Sequence, residues 1–151
     1  MVPRVYIDTS VIGGCLDEEF RDYSQRLFED FRRGRFLPVL SNITIEEIRL
    51  SPVRVQALLD DPALQHAERV ALDEESVALA EKYIEQGVVS ASHRVDARHI
   101  AIATKQRVDL VVSWNFEHIV RWSRIRGFNA VNLLAGYPEI EIRSPCEVCY
   151  D

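Results

Sequence analysis

The chain has 151 residues, of which 47% are hydrophobic and 28% charged, proportions typical of one globular domain over residues 1–151. Six glycines and six prolines are too few for a collagen-like or disordered chain, and no run of roughly 20 apolar residues could cross a bilayer. The formal net charge of −6 excludes the broad positive surface of a protein that coats nucleic acid, and we expect no membrane partner.

The N-terminal residues lack the apolar stretch of a secretion signal, which predicts a cytoplasmic protein. Three cysteines cannot form a disulfide framework without a leftover thiol, so we expect them to be reduced. Cys146 and Cys149 have C-x-x-C spacing, but no second pair is present to complete a zinc site. A metal or redox role and an ordinary C-terminal tail over residues 135–151 are the two alternatives for this segment.

Apolar periodicity predicts strands that alternate with helices along the chain. The predicted strands cover residues 4–7, 36–40, 108–112 and 130–134. The predicted helices cover residues 17–33, 42–52, 53–59, 73–87 and 95–107 and a segment with Ile119, Val120 and Trp122. This alternation is typical of an α/β fold with a parallel sheet covered on both faces, whose ligands bind at the C-terminal ends of the strands. Those ends carry Asp8, Ser41 and Asn115.

Four side chains that could serve as oxygen ligands lie outside any obvious solvent-facing stripe of a helix or strand. Asp8 follows the first strand, Glu47 falls inside an apolar helix, Asp96 opens another helix, and Asn115 ends a strand. Carboxylates that converge in one cleft repel one another, so they need a cation, and Mg²⁺ or Mn²⁺ suits oxygen ligands. The alternative for Asp8 is a turn former or helix cap, and the alternative for Asp96 is a helix cap.

Four short motifs containing these residues occur in order between residue 4 and about residue 134. They are residues 6–12 (YIDTSVI), 40–48 (LSNITIEEI), 94–103 (RVDARHIAIA) and 110–119 (LVVSWNFEHI). With these motifs the chain resembles the PIN-domain family, which includes the VapC-like ribonuclease toxins of toxin–antitoxin pairs. The resemblance implies a PIN-like three-layer α/β/α sandwich with a mainly parallel central sheet.

The resemblance also implies a function, a metal-dependent endoribonuclease that hydrolyses RNA phosphodiester bonds. It implies Asp8, Glu47, Asp96 and Asn115 as catalytic residues, with the three carboxylates as ligands of Mg²⁺ or Mn²⁺. Many relatives have Asp at the position of Asn115, whose amide oxygen can bind a metal but brings no charge. The implied partners are an RNA substrate, a small antitoxin that blocks the cleft, and a second copy in a homodimer.

Further residues of the motifs are candidates for accessory or RNA-binding roles, each with an alternative. Ser10 orients Asp8 or caps the next segment, and His99 and His118 face the cleft or are buried core histidines. Arg98 contacts RNA phosphate or pairs with an acid, and the alternative is that it lies on a solvated face of its helix.

Three more arginines lie close together in the sequence, at Arg121, Arg124 and Arg126. They contact phosphates or complement the dipole at the end of a helix.

Two rival functions come from other classes of protein. One is a non-catalytic PIN-fold domain that binds RNA or protein, which the uncharged Asn115 favours. The other is a flavodoxin-like receiver or nucleotide-binding domain, against which the absence of a GxGxxG motif and a P-loop argues.

Overall fold

The computed structural model describes residues 1–148, and these form a central sheet with helices on both faces. The strands are β1 (Arg4–Ile7), β2 (Leu37–Ser41), β3 (Glu68–Val70), β4 (Leu110–Val112) and β5 (Ile142–Arg143). The helices are α1 (Thr9–Gly14), α2 (Arg21–Arg32), α3 (Asn42–Arg49), α4 (Val53–Gln56), α5 (Glu74–Glu85), α6 (Arg94–Lys105), α7 (Trp122–Leu134) and α8 (Pro145–Val148). No helix of this described part is long and apolar enough to span a membrane.

The strands form one parallel sheet in the order β3-β2-β1-β4-β5. Strand β1 lies in the middle, where Tyr6 pairs with Val39 of β2 and Ile7 pairs with Val112 of β4. The chain builds β2 and β3 on one side of β1 and then β4 and β5 on the other side. Ligands of parallel α/β sheets bind at such a switch point, outside the C-terminal ends of the strands. The predicted α/β class with a parallel sheet is confirmed.

Side chains of β1 alternate between the two faces of the sheet and enter two separate cores. Val5 and Ile7 pack with apolar residues of α1, α2 and α3, whereas Tyr6 packs with those of α5, α6 and α7. All three side chains are fully buried. The resulting three layers agree with the predicted sandwich.

The helix ends follow the capping signals of the sequence. At the start of α3, Ser41 Oγ accepts a hydrogen bond of 3.3 Å from the backbone of Thr44. At the start of α5, Asp73 and Ser76 cap each other's backbone N–H groups reciprocally. Gly34 ends the α2 region with φ of +70°, a conformation that only glycine adopts without steric cost. These caps hold α3 and α5 close to their predicted limits.

Near the C-terminus, the prediction was wrong about the strand at residues 130–134, which form the last turns of α7. This helix begins at Trp122, later than the predicted segment around Ile119. An apolar run fits a buried strand or a buried helix equally well until its packing partners are known. Phe128 and Val131, three residues apart, are buried on one side of α7, which shows that the run is in helical phase.

Two short edge strands were not predicted. Strand β3 joins the sheet beside β2, and β5 joins it beside β4. The expected tail over residues 135–151 therefore supplies β5 and α8 in its described part. Cys146 is exposed, and Cys149 lies outside the described residues, so the C-x-x-C hypothesis stays a prediction.

Candidate active site

The C-terminal ends of β1 and β4 bring Asp8 and Ser113 together. Ile7 pairs with Val112, so the residues that follow the two strands are neighbours. Ser113 Oγ donates a hydrogen bond of 2.6 Å to Asp8 Oδ2, and Ser10 Oγ donates one of 2.6 Å to Asp8 Oδ1. Asp8 is buried and occupies the N-cap position of α1, but its side chain makes no capping hydrogen bond and contacts the two serines instead. The two hydroxyls fix the carboxylate, and each of its oxygens keeps a further lone pair for another ligand.

Ser10 also anchors the loop that follows β4. Its Oγ accepts a hydrogen bond of 2.9 Å from the backbone of Trp114, and the residue lies inside α1, so it does not cap the next segment. Trp114 Nε1 donates to Ser24 Oγ at 2.8 Å. A Cβ at Gly14 would lie 2.6 Å from Ser24 Oγ, so only glycine allows this close packing. The loop after β4 is therefore locked against α1.

The second carboxylate, Glu47, projects from α3 toward the start of α1 and toward α6. Its Oε1 accepts a hydrogen bond of 2.7 Å from Thr9 Oγ1 and lies 2.9 Å from His99 Nε2. His99 is buried on α6, and its Nδ1 lies 2.6 Å from Tyr6 Oη. Tyr6 Oη donates to Ser41 Oγ at 2.8 Å. A chain of buried polar groups thus connects the end of β2 to Glu47.

Hydrogen bonds from His99 and Thr9 control the charge of Glu47. Burial raises the pKa of the Glu47 carboxyl, but hydrogen bonds from His99 and Thr9 outweigh burial, and the pKa lies below its ordinary value. The ionised carboxylate can only accept, so His99 Nε2 carries the proton of their shared hydrogen bond. His99 is therefore a buried histidine, as its alternative predicted, and at the same time a direct partner of a candidate metal ligand.

The third carboxylate, Asp96, lies in the first turn of α6, where the helix dipole favours a negative charge. His93 occupies the N-cap position, so Asp96 does not cap the helix. Burial raises the pKa of the Asp96 carboxyl; His99 and His118 oppose this rise, and the charge of Asp8 adds to it. Asp8 and Asp96 are therefore close enough to repel each other.

Asn115 forms the turn after β4 and places His118 near Asp96. The Asn115 backbone donates to Ser113 Oγ at 3.0 Å, and Asn115 Oδ1 accepts a hydrogen bond of 2.9 Å from the His118 backbone. The rings of His118 and His93 stack with centroids 3.6 Å apart. His93 Nδ1 lies 3.8 Å from Asp96 Oδ2. Asn115 is thus a turn former, and its Oδ1 keeps one lone pair for a further ligand.

The oxygen donors at this edge suit a hard divalent cation such as Mg²⁺ or Mn²⁺. Asp8, Glu47 and Asp96 belong to three separate parts of the fold, and the raised pKa of Asp96 reflects a negative charge that is disfavoured where it stands. Within residues 1–148, no three His, Cys, Asp or Glu side chains already lie close enough to hold a metal ion. Metal binding therefore requires these carboxylates to approach one another, and their role as ligands stays a prediction.

Arg121, Arg124 and Arg126 lie at the N-terminal end of α7. The helix dipole disfavours cations there, so the alternative that they complement the dipole was wrong. No carboxylate in the described part of the chain forms an ion pair with these arginines. The Arg126 guanidinium lies 4.7 Å from the ring centre of Trp122, which is 72% exposed. Their charge is available to an anion from outside the chain.

Arg98 has a different environment. It follows Asp96 by two positions in α6, which places it about 200° around the helix axis from that carboxylate. The pKa of Glu81 on α5 is lowered mainly by a hydrogen bond from Arg94, and the nearby charge of Arg98 contributes. Arg98 Nε is buried without a hydrogen-bond partner among the described residues, so the role of Arg98 stays a prediction.

Sequence reasoning missed four residues of the site, Tyr6, Thr9, His93 and Ser113. Ser113 follows β4 directly, as Asp8 follows β1, so the rule about strand ends would have identified it. Thr9 directly follows Asp8, and Tyr6 lies two residues before it. The sequence contains no signal that Thr9 contacts Glu47 or that Tyr6 contacts His99. The stacking of His93 on His118 joins two distant segments and has no local signal.

The chain is similar to known proteins in sequence pattern and in fold. A family model described as "PIN domain" matches residues 4–117. No curated protein sequence matches the chain significantly.

Three solved structures resemble the chain in fold over nearly their whole length. VapBC2 from Rickettsia felis, bound to a DNA fragment from their promoter, has 13% identity and a TM-score of 0.60, with 93% of this chain and 98% of that chain covered. FitAcB from Neisseria gonorrhoeae has 16% identity and a TM-score of 0.59, with 95% and 99% covered. VapC20 from Mycobacterium tuberculosis, described as a Sarcin-Ricin loop cleaving toxin, has 14% identity and a TM-score of 0.58, with 90% and 98% covered.

Proposed function

The chain belongs to the PIN domain family, and on this premise we propose that it is a metal-dependent endoribonuclease that hydrolyses phosphodiester bonds in RNA. The observation that carries the proposal is the placement of Asp96 within reach of the charge of Asp8, with Glu47 hydrogen-bonded to Thr9, the residue directly after Asp8. Burial raises the pKa of Asp96 and the charge of Asp8 raises it further, so this arrangement costs the free protein stability. Groups held at such a cost mark a functional site more often than a purely structural one.

We assign Asp8, Glu47 and Asp96 as ligands of Mg²⁺ or Mn²⁺, with Asn115 Oδ1 as a further oxygen donor. A bound divalent cation would lower the pKa of a water molecule and offset negative charge on the phosphate. The amide of Asn115 is uncharged, so the site carries at most three negative charges to balance the cation.

The remaining residues of the site orient these ligands. Two serine hydroxyls hold both oxygens of Asp8, while Thr9 and His99 hold one oxygen of Glu47. These contacts fix the orientation of the Asp8 and Glu47 carboxylates before a cation draws the three acids together. His118 and His93 border Asp96 and complete the wall of the site.

We propose single-stranded RNA as the substrate class, because cations and an exposed aromatic ring occur together next to the carboxylates. Arg121, Arg124 and Arg126 supply phosphate contacts, and the free backbone N–H groups at the start of α7 add positive potential. The exposed Trp122 ring offers a surface on which an unpaired base stacks. Asn115 and the start of α7 belong to one short segment, so the RNA strand would pass from the arginines to the carboxylates.

The proposed biological role is the toxin of a toxin–antitoxin pair in the cytoplasm, with a small antitoxin that covers the acidic edge and a homodimer as the assembly. Family membership and the fold shared with VapBC2 and VapC20 support this role. Expression of the wild-type chain alone should then arrest growth, and expression of Asp8→Asn should not. RNA cleavage in vitro without any effect on growth would leave the nuclease in place and remove the toxin role.

Cleavage of a mixed RNA pool by purified protein tests the enzyme itself. Asp8→Asn should reduce the rate by more than about 100-fold, because it removes a charge from the reacting site. Asp22→Asn on the exposed surface of α2 removes the same charge elsewhere and should retain activity. RNA binding without cleavage by the wild type, across several RNAs and with either metal, would favour the non-catalytic binding domain.

A further inference from the structure

A pocket of about 380 Å³ opens beside the carboxylates, between the end of α5, the start of α6 and the start of α7. Its walls include Ile84, Val89, Ser90, His93, His118 and Arg124. The volume falls within the range of roughly 300–1,000 Å³ typical of small-molecule sites and exceeds the needs of a simple anion.

One wall of the pocket is shared with the candidate active site. The imidazoles of His93 and His118 stack at 3.6 Å, and His93 Nδ1 lies 3.8 Å from Asp96 Oδ2. The side chain of His93 is 38% exposed, so the pair still presents aromatic surface to a ligand. A molecule in the pocket would therefore lie directly next to the carboxylates.

The polar groups of the pocket favour an anion. None of the described residues that line it is acidic, although the chain has 24 acidic residues against 18 basic ones. The Arg124 guanidinium donates through Nη1 to the carbonyl of Val88, which holds the side chain in place. Arg124 Nε is buried and has no hydrogen-bond partner, an uncommon state for a charged group in a native protein. The charge of Arg124 is thus fixed in position but not neutralised.

Helix α7 can reach this position only because residue 127 is glycine. A Cβ at Gly127 would lie 2.9 Å from Val88 Cγ1, closer than real contacts allow. The approach brings the carbonyl of Val88 to Arg124 and forms the side of the pocket. The close packing between α7 and the segment after α5 therefore shapes this side of the pocket.

We infer that this pocket binds one nucleotide of the RNA strand next to the phosphodiester bond that is cleaved. Arg124 receives the phosphate, and the apolar side chains of Ile84 and Val89 with the stacked imidazoles receive the ribose and base. The inference rests on the proposed ribonuclease function for the identity of the strand. It adds a specific nucleotide site to the general phosphate contacts of the three arginines.

Histidine ring signals in NMR spectra test the inference without any cleavage. The chain has 4 histidines, so each ring can be assigned by single substitution. The free protein is titrated in EDTA with uridine or adenosine 5′-monophosphate, and in parallel with inorganic phosphate and with the nucleosides. Mononucleotides should shift the signals of His93 and His118, whereas His66, which borders a separate groove, should not move.

The affinity for mononucleotides should exceed those for phosphate and for nucleosides by about tenfold or more. Arg124→Gln should weaken mononucleotide binding by about tenfold, and Arg54→Gln, an exposed charge on α4 in the other helical layer, should leave it unchanged. The wild-type titration decides the matter even where Arg124→Gln does not fold.

Two results would overturn the inference: no movement of the His93 and His118 signals at millimolar mononucleotide, or equal affinity for inorganic phosphate, which would make the pocket an anion site only. Failure of the ribonuclease proposal is distinguishable from both. An inactive wild type whose histidine signals still respond to mononucleotide removes the enzyme and keeps the nucleotide site, while cleavage without a response removes the nucleotide site alone.

Discussion

His99 Nε2 lies 2.9 Å from Glu47 Oε1, and this buried contact separates the electrostatic behaviour of two neighbouring carboxylates. Burial raises the pKa of Glu47, but the donors His99 and Thr9 bring it below its ordinary value. Burial raises the pKa of Asp96, and no hydrogen-bond donor among the described residues contributes to lowering it. Ionisation of Glu47 therefore stabilises the folded protein, whereas ionisation of Asp96 destabilises it.

Substitution of these two acids should change the stability of the metal-free protein in opposite directions. Near neutral pH, Asp96→Asn should raise Tm, because it removes a disfavoured negative charge, and Glu47→Gln should lower Tm, because it weakens the bond to His99. A change of about 1 kcal/mol shifts Tm by about 2–4 °C in a chain of this size, and the change at Glu47 should be the smaller one because solvent screens its more exposed side chain. Thermal melting in EDTA measures both, and changes of the same sign would contradict the electrostatic account.

The pH dependence of these differences follows from the same directions. A lowered folded-state pKa stabilises the protein above the unfolded pKa, so the deficit of Glu47→Gln should disappear as the pH falls through the pKa of folded Glu47. A raised folded-state pKa penalises the ionised form, so the gain of Asp96→Asn should shrink as the pH falls below the pKa of folded Asp96 and disappear below the unfolded pKa. Melting curves from neutral to acidic pH test this. Differences that stay constant would indicate packing effects instead of charge.

Chelation should abolish cleavage and leave the fold intact. The donors of the site are oxygen atoms at the edge of the sheet, and the two apolar cores do not depend on them. Excess EDTA should stop RNA hydrolysis, and Mg²⁺ or Mn²⁺ should restore it, with little change in circular dichroism. A structural zinc would behave differently, since its loss unfolds small domains. Activity that persists in EDTA would exclude the proposed cofactor.

Removal of the arginines at the start of α7 should weaken RNA binding and its dependence on salt. Each phosphate contact to a single strand contributes roughly 0.7 to the slope of log affinity against log salt concentration. Alanine at Arg121, Arg124 and Arg126 should therefore flatten the slope by about 2, whereas Arg54→Ala should not change it. The measurement is RNA affinity at several salt concentrations with the inactive Asp8→Asn background. An unchanged slope would place the RNA path elsewhere.

Asn115→Asp should reduce the metal concentration needed for activity. The substitution adds a negative charge near Asp8 and Asp96, and it keeps an oxygen to accept the hydrogen bond from the His118 backbone. Half-maximal cleavage should then occur at severalfold lower Mg²⁺, and the metal-free protein should be less stable. Asn115→Ala should need more Mg²⁺. Superimposable titration curves for all three proteins would mean that Asn115 serves only the turn.

Much of the fold was predictable from local sequence patterns. The strand at residues 4–7 and the helices predicted at residues 42–52 and 73–87 each depend on patterns of neighbouring residues, and the structure has all three. The run at residues 130–134 was not predictable in this way, because its conformation depends on where Phe128 and Val131 find their packing partners. Strands β3 and β5 are short, and pairing with β2 and β4 defines them.

The candidate site divides in the same manner. The candidate ligands could be predicted from the motifs alone, because residue type and order mark Asp8, Glu47 and Asp96 as oxygen donors. The groups that orient them could be identified only from the packing of the elements. The contact of Ser113 with Asp8 follows from the register of β1 on β4, and the contact of His99 with Glu47 follows from the packing of α6 and α3 against the same strand. Hydrogen bonds between distant segments depend on the relative position of whole elements, which burial of both faces of the sheet sets.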